Sequence, residues 1–320
     1  MSSSTQRAHR TQDVLVGVDG SSASAHAIRY AKAEAVRSGG AVDVVHVVPD
    51  VAPMNGFYPV PPDELMDAGA AALDASLEQV GQVGEPDDGV PVRPHVRRGP
   101  VVATLTELGR EARMIVVGSD RRPVSMRLLT GNVSTGVSAR AAVPVVSVPD
   151  TWSPEQSTGV VLVGVKHPDH ADALLAEAFE VARQRHSRLL VLHAWRLPIA
   201  YDDLLSGDIG TLKDWAARAE RELEEVVAPW RASHPEVDVE VRAVHDQAAH
   251  ALVVASEEAD EVVVVRRTHG VPAATHLGST ARAVLLYARC PIRVVPAVHV
   301  PMVLDLDLET SGAALKRAGS

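Results

Sequence analysis

The chain has 320 residues, 46% of them hydrophobic, which is enough apolar material for a core in each of two domains of ordinary size. A formal net charge of −10 argues against a general nucleic-acid binder, because phosphate binding needs clustered Lys and Arg rather than a surplus of Asp and Glu. The single cysteine, Cys290, excludes an internal disulfide and a thiolate zinc site, and no apolar run reaches the roughly 18 residues of a membrane helix.

Residues 1–12, MSSSTQRAHRTQ, lack the apolar core of a signal peptide and read as a disordered N-terminus, so the expected location is cytoplasmic. From residue 13, short β-branched runs alternate with longer segments of helical period, the pattern of a parallel sheet covered on both faces. The run DVLVGVD comes first, then the helical ASAHAIRYAKAEAVR (Ala23 to Arg37), stopped at Gly39-Gly40. VDVVHVV, VPVRPHV, RMIVVGS and VPVVSVP complete a set predicted as five strands and four helices over 13–150. A segment rich in Pro, Ser and Thr follows, with the linker placed at 151–159.

The pattern then begins again. LVGVDGS, Leu15 to Ser21, returns as LVGVKHP, Leu162 to Pro168, and a constant shift aligns Gly17 with Gly164 (164 − 17 = 147), His46 with His193, Gly131 with Gly278 and Pro144 with Pro291. The expected fold is therefore α/β, with two tandem doubly wound domains, 13–150 and 160–297, each a five-stranded parallel sheet flanked by helices. The last strand of each half carries prolines, Pro144 and Pro149, then Pro291 and Pro296, which assigns it to a sheet edge. An apolar edge needs covering, and the matching strand of the other half would make the chain an internal pseudo-dimer, with a further homodimer as an additional arrangement. The tail, 298–320, lies outside the repeat; its DLDLE alternates as an edge strand would, and a mobile tail is the other reading.

In an open parallel sheet a ligand sits at the carboxyl ends of the strands, where the helices change face. Asp19 ends the first predicted strand and Gly118 the fourth, and SDRRPVSMRLLTGNVSTGVSARAA then leads into a helix near Gly131. Backbone amides at that helix start, around Asn132 and Val133, suit a phosphate.

LVGVDGS, VVHVV, MIVVGS, LLTGNVSTGVSARAAVPVVSVP and HLGSTARAVLLYARCPIRVVP together resemble the universal stress protein family, in tandem, over nearly all of both halves. The resemblance implies two Rossmann-like domains of the adenine nucleotide alpha hydrolase-like type. Some members of that family bind ATP through the first-strand aspartate, a strand-two backbone contact to adenine and a G-x2-G-x9-G-[S/T] motif. Carried onto this chain, it implies ATP, with Mg as an accompanying ion, at Asp19, Val47, Gly118, Gly131 and Val133. Arg121 stands where the motif has its second glycine and Asn132 where it has Ser or Thr; a guanidinium there either blocks the phosphates or grips them. In the second half, Lys166 faces Asp19, Val265 faces Gly118 and Thr268 faces Arg121, leaving Gly278 and Ser279 of the motif. Lysine cannot accept a hydrogen bond, so that site reads as lost for ATP, and the half as scaffold or as a site for something else.

Other readings stand beside these. Asp19 in Asp-Gly-Ser-Ser is also ordinary turn and cap chemistry, His46 and His193 read as packed strand histidines, and His167 to His170 (HPDH) as a polar helix cap rather than a metal site. SGGAVD, Ser38 to Asp43, mimics a pyrophosphatase loop but precedes the second strand instead of following the first. With no G-x4-G-K-[ST] loop and no Ser-His-Asp set, the chain reads as no enzyme, beyond slow incidental ATP hydrolysis. A stress-response regulator with a nucleotide in its first half and a nucleotide-free interaction module are the two main alternatives, with a nucleotide hydrolase third; the protein partner is not legible.

Overall fold

The computed structural model describes residues 12–50, 62–81, 89–119, 133–166, 171–196, 209–266 and 277–296. Arg121, Gly131, Asn132, Thr268, His167 to His170 and the tail after Pro296 lie outside them.

The first half runs β1 (Val14–Val18), α1 (Ser22–Ser38), β2 (Val42–Val48), α2 (Pro62–Gly81), β3 (Val92–Arg98), α3 (Val101–Leu108), β4 (Met114–Ser119), α4 (Val133–Arg140) and β5 (Val145–Pro149). The second repeats it as β6 (Val160–Gly164), α5 (Asp172–Arg185), β7 (Arg188–Trp195), α6 (Ile209–Ser233), β8 (Val239–His245), α7 (Ala248–Ala255), β9 (Glu261–Val265), α8 (Ser279–Tyr287) and β10 (Ile292–Val295). The shift read from sequence holds in three dimensions: β3 maps onto β8 and α3 onto α7 residue for residue (239 − 92 = 147, 248 − 101 = 147).

All ten described strands form one sheet, in the order β3-β2-β1-β4-β5-β10-β9-β6-β7-β8. Pairing is parallel within each half and antiparallel only at the seam, where Ser147, Val146 and Val145 face Ile292, Arg293 and Val294. β5 and β10 are thus the edges of their own half-sheets and the interior of the joint one, each covering the other. Their flanking prolines do not break the ladder, because the carbonyls of Pro144 and Pro291 accept from the amides of Ile115 and Val262. The free edges of the described sheet are β3 and β8. β3 carries Arg93, Pro94, Arg97 and Arg98, residues that discourage edge-to-edge pairing.

Central strands are buried on both faces, as the near-continuous Val, Ile and Leu runs require: Val14, Val16 and Leu162 have no accessible surface. In the first half α1 and α2 cover one face and α3 and α4 the other. The alanines of α1 let it lie close to the sheet, and the helix ends at Gly39 in a left-handed conformation (φ 70°), with the Gly40 amide bonded back to the Ala35 carbonyl at 3.1 Å. The corresponding helix, α5, ends the same way at His186 (φ 52°), a non-glycine in that region at a cost of about 1 kcal/mol.

The seam is closed by charge. Tyr30 and Glu34 from α1 meet Arg185 and Glu177 from α5 and Glu261 and Arg293 from the strands β9 and β10. Arg293 and Glu261 are fully buried, 2.5 Å apart, and Arg293 also reaches Glu34 (3.1 Å), Glu177 (2.7 Å) and the Tyr30 hydroxyl (3.1 Å). Tyr30 and Arg185 each bond Glu261 as well. The linker is strapped to the second half, with the Asp260 carboxylate accepting from the Thr158 and Gly159 amides at 2.5 and 2.9 Å and from the Ser157 hydroxyl at 2.7 Å.

Candidate functional site

The strand order within the first half, β3-β2-β1-β4-β5, places the carboxyl ends of β1 and β4 side by side, which is where the order of the strands turns back. Asp19 follows β1 directly. Its Oδ1 accepts from the Ser21 amide (3.0 Å), the Ser21 hydroxyl (2.6 Å) and the Ser24 hydroxyl (2.9 Å), while its own amide donates to Ser24 Oγ at 3.0 Å. The turn-and-cap chemistry therefore exists at this residue, and it fixes the carboxylate at the end of β1. Ser24 is the residue that sequence reasoning passed over. It is buried within the first turn of α1 and bridges the amide and carboxylate of Asp19.

Gly118 lies at the end of β4 because nothing larger fits. A Cβ there would stand 2.8 Å from the carbonyl oxygen of Ala23 and 2.9 Å from its Cβ, so the bare backbone is what lets the start of α1 approach the strand. Val47, the expected strand-two contact, is buried on β2 among Leu15, Leu105 and Val117. Val133 is the first residue of α4 and is half-buried. The described residues thus bring Asp19, Val47, Gly118 and Val133 onto the elements expected.

His46 does more than pack. Its Nδ1 stands 2.9 Å from the carbonyl oxygen of Val18, and since that oxygen can only accept, Nδ1 carries the proton and donates. His193 makes the same bond to Val165 at 2.8 Å. Both rings pin the peptide immediately before the residue at the crevice, Asp19 in one half and Lys166 in the other. The signal in the sequence was their shared position in the repeat.

In the second half the crevice is an open cavity of about 470 Å³. Its lining includes Lys166, Ala194, Val265, Gly278, Ser279 and Thr280, the images at the repeat shift of Asp19, Val47, Gly118, Gly131, Asn132 and Val133 (166 − 19 = 147; 280 − 133 = 147). Every candidate residue of the first half except Arg121 has its counterpart on this one surface. Among the described residues, no group of three His, Cys, Asp or Glu side chains is placed to hold a metal ion, and no helix is long and apolar enough to cross a membrane.

Two doubly wound halves joined edge to edge through β5 and β10, with a cavity at the carboxyl ends of the strands in the second, define a tandem α/β protein. The family model for the universal stress protein family matches residues 10–149 and again 158–296, and the chain belongs to that family. It is 35% identical over 293 residues to universal stress protein Rv2623 of Mycobacterium tuberculosis, covering 88% of this chain and 95% of that protein. Universal stress protein Rv2005c of the same organism is 33% identical over 292 residues, covering 88% of this chain and 96% of its own. The crystal structure of a universal stress protein from Archaeoglobus fulgidus shares the fold, with a TM-score of 0.63 at 18% identity over 91% of this chain and 98% of that one.

Proposed function

We propose that the chain is a cytoplasmic regulatory member of its family that binds ATP in its first half, the bound nucleotide altering the surface presented to a protein partner, and that it is not a catalyst. The family is generally regarded as non-enzymatic. The observation that carries the reading is the position of the Asp19 carboxylate, held by Ser21 and Ser24 at the end of β1 beside Gly118. A carboxylate there accepts from ribose hydroxyls, and a helix N-terminus such as that of α4 favours an anion through its dipole. The second-half cavity supports the location, since the images of these residues line it.

Isothermal titration of the whole chain with ATP and Mg should show about one nucleotide per chain, with Asp19→Ala weakening it by about tenfold or more through loss of a charge-assisted bond. Absence of heat together with absence of nucleotide released from the denatured pure protein would leave the nucleotide-free interaction module in its place.

A further inference from the structure

The second-half crevice has the wrong chemistry for the ligand proposed in the first half and a coherent chemistry of its own. Its floor is apolar, formed by Leu174, Leu192, Leu252 and Val264. Its polar side chains include two cations. Lys166 replaces the first-half carboxylate, and Arg266 occupies the image of Ser119 (266 − 119 = 147).

In a chain of net charge −10, carboxylates outnumber cations, yet among the described residues neither Lys166 nor Arg266 has a carboxylate within salt-bridge reach. Arg266 is half-buried and spends one nitrogen on two carbonyls, Ala139 and Ala141, at 3.0 Å each. Burial pulls its pKa down with no carboxylate to oppose it, the mark of a guanidinium desolvated without a counter-charge. The helix that borders the cavity, α8, opens on Gly278, which has no side chain to cap its first amides. An apolar space rimmed by cations that have no carboxylate partner among the described residues is complementary to one class of molecule.

We propose that the second-half cavity is a separate binding site for an organic anion with an apolar body, its carboxylate or phosphate head held by Lys166 and Arg266 and its body on the Leu192–Leu252–Val264 floor. The loss of Asp19's counterpart is then a change of ligand class and not decay. A cavity of about 470 Å³ accommodates a body of one or two fused rings.

The test uses the full chain and 1-naphthoate as the probe, with neutral 1-naphthalenemethanol and the cation 1-naphthylmethylammonium as its uncharged and reversed counterparts. Isothermal titration should give one naphthoate per chain, about tenfold tighter than the alcohol, with the ammonium weaker still. Lys166→Ala should weaken naphthoate by about tenfold and Lys166→Arg should retain it. Lys166 is exposed, so neither variant threatens the fold; Ala194→Phe, which fills the cavity, should abolish binding. Asp19→Ala should leave naphthoate untouched, which separates this site from the nucleotide reading: either can fail while the other stands. Equal affinity for acid and alcohol, no heat up to about 1 mM naphthoate, or an unchanged constant in Lys166→Ala would overturn the proposal.

Discussion

Gly118 and Asp19 are 99 positions apart in the chain (118 − 19 = 99) and on neighbouring strands' ends in the sheet, and the first makes room for the helix start that holds the second. With a Cβ at Gly118 only 2.8 Å from the Ala23 carbonyl oxygen, the start of α1 would be displaced, and with it Ser21 and Ser24, the donors that hold Asp19. Gly118→Val is therefore expected to cost about 1–3 kcal/mol, as overpacking against backbone does, seen as a lower urea midpoint at unchanged slope. The same substitution should weaken ATP in titration. At this scale the sequence was readable where a residue's role follows from its type, as with Asp19 at a strand end. It was opaque where the role depends on a neighbour brought by folding. Ser24 looked like one more small residue in an alanine-rich helix, and nothing in its local context reveals the buried bridge to Asp19. His46 read as packing for the same reason, because the Val18 carbonyl it pins lies on another strand.

Among the elements, α4 connects the two halves. It begins at Val133 in the first half, and the carbonyls of Ala139 in its last turn and of Ala141 just past its end are held by Arg266, a residue that also lines the second-half cavity. Arg266→Ala removes both bonds and leaves two carbonyls at a helix end without their cation. The expected result is faster amide exchange along 137–140, in the half that was not mutated, with a stability loss of about 1–3 kcal/mol. The strands were legible as elements because β-branched runs mark them whatever their neighbours. Their exposure was less so. The prolines of β5 and β10 mark edges only of the half-sheets, while one of the two outer strands of the described sheet, β3, announces itself through Arg93, Pro94, Arg97 and Arg98, which read in sequence as interruptions of an apolar run.

For the molecule as a whole the decisive feature is the ionic seam. Arg293 is fully buried, and burial would pull its pKa down; Glu261, Tyr30, Glu34 and Glu177 override that and keep it charged. Removing one partner of such a set leaves the others desolvated and unpaired, so Arg293→Met should destabilise the protein by about 3–5 kcal/mol in urea unfolding. Glu34 gives the acid limb. Burial alone would raise its pKa, but Arg185, Arg293 and Arg37 hold it well below the usual carboxylate range. Its folded pKa is lower than its unfolded one, so its contribution is complete above about pH 4.3, declines below that, and is gone once the pH falls through the depressed native value. Tyr30 gives the alkaline limb: burial chiefly, with Glu261 and Glu34, drives its pKa up against Arg185 and Arg293, so stability falls as the pH rises past about 10. Unfolding midpoints measured from pH 3 to 11 should trace both limbs, and Glu34→Gln should flatten the acid one. The seam was not legible beforehand, since an isolated Glu261 or Arg293 within a β-branched run gives no hint of a counter-charge 32 residues away.

The repeat shift carries Glu261 and Arg293 onto Met114 and Val146, and Glu34 onto Val181 (261 − 114 = 147; 181 − 34 = 147). The duplicated copies have thus become a mated pair, as a plug is to its socket. Two first copies brought together would bury Glu34 against Met114 and Val146 with only its own Arg37 and without Arg185 or Arg293 to receive it, and two second copies would set Arg293 against Arg293 across the join. The charges that close the described seam are thus divided between the copies, and β5 and β10 each occupy the other's edge, so the join suits the unlike pair within one chain.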